Sequence, residues 1–125
     1  MSRRWHITII VMALLALAGC AASPSKYDWG SYNDSLYASY RDPTKAAELM
    51  ASLRAIIDGA SAGHGAVPPG VFAEYGYLLL QQGKAPEAVA SFRQEEQFWP
   101  ESKVFMDRMI QVASSERTAP AAKEP

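Results

Sequence analysis

The stretch PGVFAEYGYLLLQQGKAPEAVASFRQEEQFWP, residues 69–100, decides the fold. Phe72, Tyr75, Leu78 and Leu79 recur at the three-and-four spacing of a buried helical stripe over about residues 71–82, and Gly83 ends the run. Pro86 then suits the first position of another helix, where its missing N–H costs nothing. The inward face of that helix carries Ala88, Val89, Phe92 and Phe98, and Pro100 stops it. Gly76 and Ala88 are small residues, one on each of these helices, and a small side chain lets two helices approach closely.

The same period extends in both directions. Upstream, Trp29, Tyr32, Leu36 and Tyr40 form a stripe that Asp28 can cap. Asp42-Pro43 closes that helix and opens the next, with Asp42 as its N-cap. From Pro43 to Asp58 the inward residues are Ala46, Leu49, Met50, Leu53, Ile56 and Ile57, and Gly59 is a left-handed terminator. Residues 59–70 hold four glycines and two prolines and read as a loop. Downstream, Glu101 to Ala113 predicts a fifth helix that buries Phe105, Met106, Met109, Ile110 and Val112 and caps the hairpin before it. No stretch alternates apolar and polar residues long enough for a strand, so the fold is predicted all-α over residues 27–113. Self-association is the other way to cover the exposed edge.

Length and composition narrow the function. The 125 residues are 49% apolar and 20% charged with a net charge of −1, which leaves room for one small domain and no basic surface for nucleic acid. The single cysteine excludes an internal disulfide. His64 stands in the loop without a ligand at metal spacing, so no metal is expected. Adjacent Glu95 and Glu96 diverge by about 100° on a helix and read as solvated or ion-paired charges rather than a catalytic pair. Nothing resembles a nucleophile elbow or a phosphate loop. No enzyme activity and no cofactor are expected.

Residues 69–100 resemble a tetratricopeptide repeat, a helix-turn-helix unit of about 34 residues. The resemblance rests on Phe72, Tyr75, Gly76, Leu79, Gly83, Ala88, Phe92 and Pro100; Glu95 and Phe72 depart from the family's usual small apolar residue and tryptophan. The hairpin at 29–58 fits the pattern loosely. The resemblance implies tetratricopeptide-like hairpins in which Ala73, Tyr77, Leu80 and Gln81 line a concave, partner-binding face. Packing of all four on the neighbouring hairpin is the alternative. Ala73 and Tyr77 stand where some members grip a peptide carboxylate with lysine and asparagine, so that clamp is absent.

At the start of the chain, Arg3 and Arg4 precede an apolar run from Ile7 to Leu17, broken only by Thr8 and too short for the roughly 20 residues of a spanning helix. It ends in Leu17-Ala18-Gly19-Cys20, which resembles a bacterial lipobox. That resemblance implies a signal peptide at 1–19, removed as the Cys20 thiol is acylated, and a mature chain that begins at Cys20 and is held by palmitate-like chains. A secreted chain cut after an A-x-A-like site, or a buried free thiol, are the alternatives. Ala21 is not the aspartate that retains many lipoproteins in the inner membrane, which implies the outer membrane, facing the periplasm. Residues 20–26 then form a tether. Residues 114–125, rich in Ala, Pro, Lys and Glu, read as a disordered tail.

The block Lys26-Tyr27-Asp28-Trp29-Gly30-Ser31-Tyr32, followed by Leu36-Tyr37, Tyr40 and Asp42-Pro43, is similar to the opening of a family of small bacterial lipoproteins catalogued as domain of unknown function 4810. The similarity runs to about Pro100. It implies an assembly of envelope lipoproteins at the outer membrane, one of them resembling the curli secretion channel, and carries no catalytic residues. The expected role is non-catalytic protein binding or assembly; activation of a peptidoglycan synthase is the alternative. Trp29, Tyr32 and Tyr40 are expected in the core, and Tyr27 and Tyr37 are candidates for a partner-facing patch.

Overall fold

The computed structural model describes residues 25–118 and, apart from them, His6. Five α-helices occur in this span: α1 Tyr32–Arg41, α2 Ala46–Ser61, α3 Val71–Gln81, α4 Ala85–Phe98 and α5 Lys103–Thr118. Single 3-10 turns at Pro43–Lys45 and Pro100–Ser102 lead into α2 and α5. No strand occurs among the described residues, and the fold is all-α. The expected signal peptide apart from His6, Cys20 and the rest of the expected tether before Ser25, and residues 119–125 lie outside the described residues.

Each helix packs against its successor, α3 with α4 and α4 with α5 most extensively. The α3–α4 crossing shows why Gly76 is glycine. A Cβ there would meet Phe92 Cε1 at 2.7 Å and the Ala88 carbonyl oxygen at 3.2 Å. Phe92 and Ala88 are themselves fully buried, so even one added carbon overpacks the contact.

Helix ends follow local chemistry. Asp42 Oδ1 accepts from the Thr44 backbone N–H at 3.0 Å and from its hydroxyl at 2.7 Å, capping the 3-10 turn that opens α2. The same bonds hold the Asp42 carboxyl below its usual range. At the end of α3, Gly83 N–H donates to Leu80 and Lys84 N–H to Leu79, a Schellman turn that needs the positive φ of Gly83. In α2 the equivalent turn uses Gly63, with His64 N–H reaching the Gly59 carbonyl at 2.9 Å. Gly59 therefore lies inside α2 and is not its terminator, and the helix runs to Ser61.

Two apolar clusters share α3. Leu49, Leu53 and Ile56 of α2 pack with Val71 and Leu78 on one side. Leu79 and Leu80 pack with Ala85, Ala88, Phe92, Met106 and Ala113 on the other, joining α4 and α5. A helix buried on both sides has to be apolar nearly all round, as this one is.

Several expectations are corrected. α1 begins at Tyr32, and Asp28 caps the preceding turn by accepting from Gly30 N–H at 3.0 Å. Tyr40, expected in the core, is 88% exposed, and α1 buries no residue fully. Phe98, Phe105 and Val112, expected inward, are exposed; Phe98 stacks on Phe72 and leaves its other face open. α5 starts at Lys103 rather than Glu101 and continues to Thr118, through the first residues of the expected tail.

Glu95 is the largest departure. Expected in solvent, it is 1% exposed, and its Oε1 accepts from the Gly70 N–H at 2.7 Å. Gly70 is the N-cap of α3, and the third helical position, where a capping box carries Glu, is Ala73 here. Glu95 supplies from α4 what a local Glu supplies in a capping box. The hydrogen bond at the positive end of α3 offsets part of the cost of burying this polar side chain. One turn earlier, the buried Ser91 hydroxyl donates to the Phe72 carbonyl at 2.7 Å, so two groups on one face of α4 fix the start of α3.

Candidate docking groove

α3 and α5 lie on either side of α4 without closing over it, and the gap between them is a groove of about 350 Å³. Ala73 and Tyr77 line it from α3, Phe105, Met106 and Met109 from α5, and Phe92 of α4 is at its floor. Tyr77 and Phe105 stand at the rim, 49% and 61% exposed. The Pro100–Ser102 turn sets this register. It delays α5 to Lys103, and on that helix Met106 turns into the core while Phe105, its neighbour, turns to the groove.

Glu74 is the one ionisable side chain besides Tyr77 in this lining. Its Oε2 accepts from the Tyr32 hydroxyl at 2.7 Å, which ties α1 to α3 beside the groove. Partial burial, the hydrogen bond to Glu74 and the Glu74 charge push the Tyr32 hydroxyl from 10.0 up to about 12. Lys103, at the start of α5, is ion-paired with Glu96 and Asp107, and these partners raise its pKa.

The residues singled out in the sequence divide. Ala73 and Tyr77 share the groove. Gln81 is exposed one turn beyond Tyr77 but outside the lining. Leu80 is 8% exposed and belongs to the core with Met106 and Ala113, so it is not open to a partner. Tyr27 is half-buried, edge-on to Trp29 and to Trp99 with ring centroids 6.3 Å apart in each case. Tyr37 is exposed on α1, where the Arg41 guanidinium lies over its ring and donates to its hydroxyl at 3.2 Å. Tyr27 and Tyr37 therefore have separate neighbours, and no ring contact joins them among the described residues.

Phe105 is the groove residue expected in the core that the structure leaves exposed, whereas Met109 lines the groove and also packs partly against the core. Their apolar character marked a helical face, but which part of that face the neighbour covers depends on where α5 begins. His64 is exposed in the loop. Among the described residues no three His, Cys, Asp or Glu side chains gather as a metal site, and no helix is long and apolar enough to cross a membrane.

A family model described as a domain of unknown function (DUF4810) matches residues 26–109. No curated protein and no solved structure matches the chain.

Proposed function

The chain belongs to the DUF4810 family, and we propose that it is an outer-membrane lipoprotein whose domain faces the periplasm and binds another envelope lipoprotein without doing chemistry. In this reading the helices act as tetratricopeptide-like hairpins, and the groove between α3 and α5 takes apolar side chains of the partner.

The groove lining carries the proposal. Apolar side chains with an aromatic rim suit the anchors that dominate binding energy at protein interfaces. Catalysis asks for positioned acid, base or nucleophilic groups, and the one carboxylate here is already engaged by Tyr32. Leu17-Ala18-Gly19-Cys20 supports the anchor. Each buried methylene contributes roughly 0.8 kcal/mol, so two or three acyl chains hold a protein stably where one does not.

The tether bears on the alternative of a peptidoglycan synthase activator. Tyr27 is fixed against Trp99, so seven residues span from Cys20 to the body of the domain, at most about 25 Å. That length keeps the domain beside its membrane and favours a neighbour anchored in the same layer.

The test is a photoreactive residue in place of Tyr77 in cells. The expected result is one discrete adduct with an envelope lipoprotein, abolished by Phe105→Asp and by Cys20→Ser, with the Cys20→Ser protein leaving the membrane fraction. An unchanged membrane fraction for Cys20→Ser sinks the anchor, and absence of any adduct from the wild-type background sinks the groove.

A further inference from the structure

A second apolar cleft lies between the end of α2, the 62–70 loop and the end of α4. It holds about 480 Å³ and is lined by Ile57, Ala66, Val67, Phe98 and Trp99 among others. Phe98 leaves 58% of its surface exposed there. The protein interaction proposed above uses none of these residues.

The path of the chain says what this cleft meets. The Lys26 carbonyl oxygen lies against Gly65 at the cleft, where an added Cβ would meet it at 3.3 Å. Tyr27 follows, edge-on to Trp99, with the Lys26 ammonium 5.3 Å from the Tyr27 ring centre. The described part of the chain therefore begins, at Ser25 and Lys26, beside this cleft. From Lys26 back to Cys20 is six residues, at most about 22 Å. A chain fixed to lipid at Cys20 keeps this end close to the bilayer.

The residues gathered here have interfacial chemistry. Tyr and Trp rings combine an apolar body with a polar tip and collect where hydrocarbon meets headgroups. Lysine keeps its charge among lipid phosphates while its stem lies on apolar surface. We propose that this end of the domain is a membrane-contacting surface: the cleft bounded by Ala66, Val67, Phe98 and Trp99 receives acyl chains of the bilayer in which Cys20 is anchored. The inference rests on the lipid-anchor reading and extends it from one residue to a face of the folded domain. The face then fixes orientation, turning the far end of the molecule, with the Gly83 turn, away from the lipid.

The experiment reads Trp99 fluorescence in vesicles containing brominated phospholipid. The chain has three tryptophans; Trp5 precedes Cys20, and Trp29→Phe leaves Trp99 as the reporter in the lipidated protein purified from membranes. Trp99 is expected to be quenched by bromolipid, and Ala66→Asp, an exposed cleft position outside the core, is expected to remove most of the quenching. Val112→Asp, on the half of α5 nearest the start of α4, is expected to leave it unchanged. Circular dichroism of each variant confirms that helix content is retained. If the purified protein carries no lipid, the anchor reading fails, and the Trp5→Phe/Trp29→Phe chain coupled through its single thiol to maleimide lipid decides the inference alone. Unquenched Trp99 in a bilayer-anchored protein overturns the proposal, as does quenching that Ala66→Asp does not change. Trp99 shielded equally in detergent by a cross-linkable second copy also overturns it, assigning the cleft to self-association.

Discussion

α1 and α3 each open a helical hairpin and are nearly equal in length, yet α3 buries six residues fully and α1 buries none. α3 is held by two apolar clusters. α1 is held at its edge, by Trp29 and Tyr32 packed on the α2–α3 cluster and by the hydrogen bond from Tyr32 to Glu74. A helix of ten residues is marginal in water without packing, so the order of α1 depends on those few contacts. The two hairpins divide the work: one supplies stability, while the other attaches to it. Local opening is expected to start at α1.

Three substitutions test that division. Phe92→Ala empties the α3–α4 crossing and is expected to cost about 3–5 kcal/mol, a large share of the ~5–15 kcal/mol of a typical domain. Urea unfolding followed by circular dichroism measures it, and a loss no greater than that of a surface substitution breaks the comparison. Glu95→Ala leaves the Gly70 N–H without its acceptor and is expected to cost about 1–3 kcal/mol, with Glu95→Gln recovering part of it. The smallest effect belongs to α1. Tyr32→Phe is expected to cost about 0.5 kcal/mol, at the low end for a hydrogen bond because the pair is partly exposed.

Tyr32 also sharpens the comparison through pH. Its hydroxyl ionises at about 12 in the folded protein against 10.0 for a free tyrosine, first through burial and then through Glu74. The neutral form is thus favoured by folding. That stabilisation is complete below pH 10.0 and is lost as pH rises toward about 12. Melting temperatures of wild type and Tyr32→Phe are expected to converge and then cross as pH rises through this window, and a constant gap would show that the hydroxyl ionises alike in the folded and unfolded chain.

Helices and their crossing were legible in the residues because period and size are local properties: Gly76, Ala88 and Phe92 meet where their spacing places them. The misread positions depend on register or on distant partners. Tyr40 stands eight residues after Tyr32, about 80° further round the helix, and only Tyr32 meets the α2–α3 cluster, so Tyr40 stays outside it. Glu95 looked solvated beside Glu96, and only the N-terminus of another helix accounts for its burial. Of the groove, Ala73 and Tyr77 came from the repeat resemblance. Phe105 did not, because periodicity shows that a face is apolar while the neighbouring helices decide which part of it is covered; Met109 lines the groove and still packs partly on the core.

The carboxylate of Glu95 also sets an order of events for the growing chain. The ribosome delivers Gly70 a full 25 residues before the side chain that accepts its N–H. Until α4 has emerged, the N-cap N–H of Gly70 lacks the acceptor it has in the folded chain, and water takes that place. A nascent chain halted between the two positions is therefore expected to hold α3 frayed at its start, and the spine of the molecule sets only when the second half of its hairpin arrives.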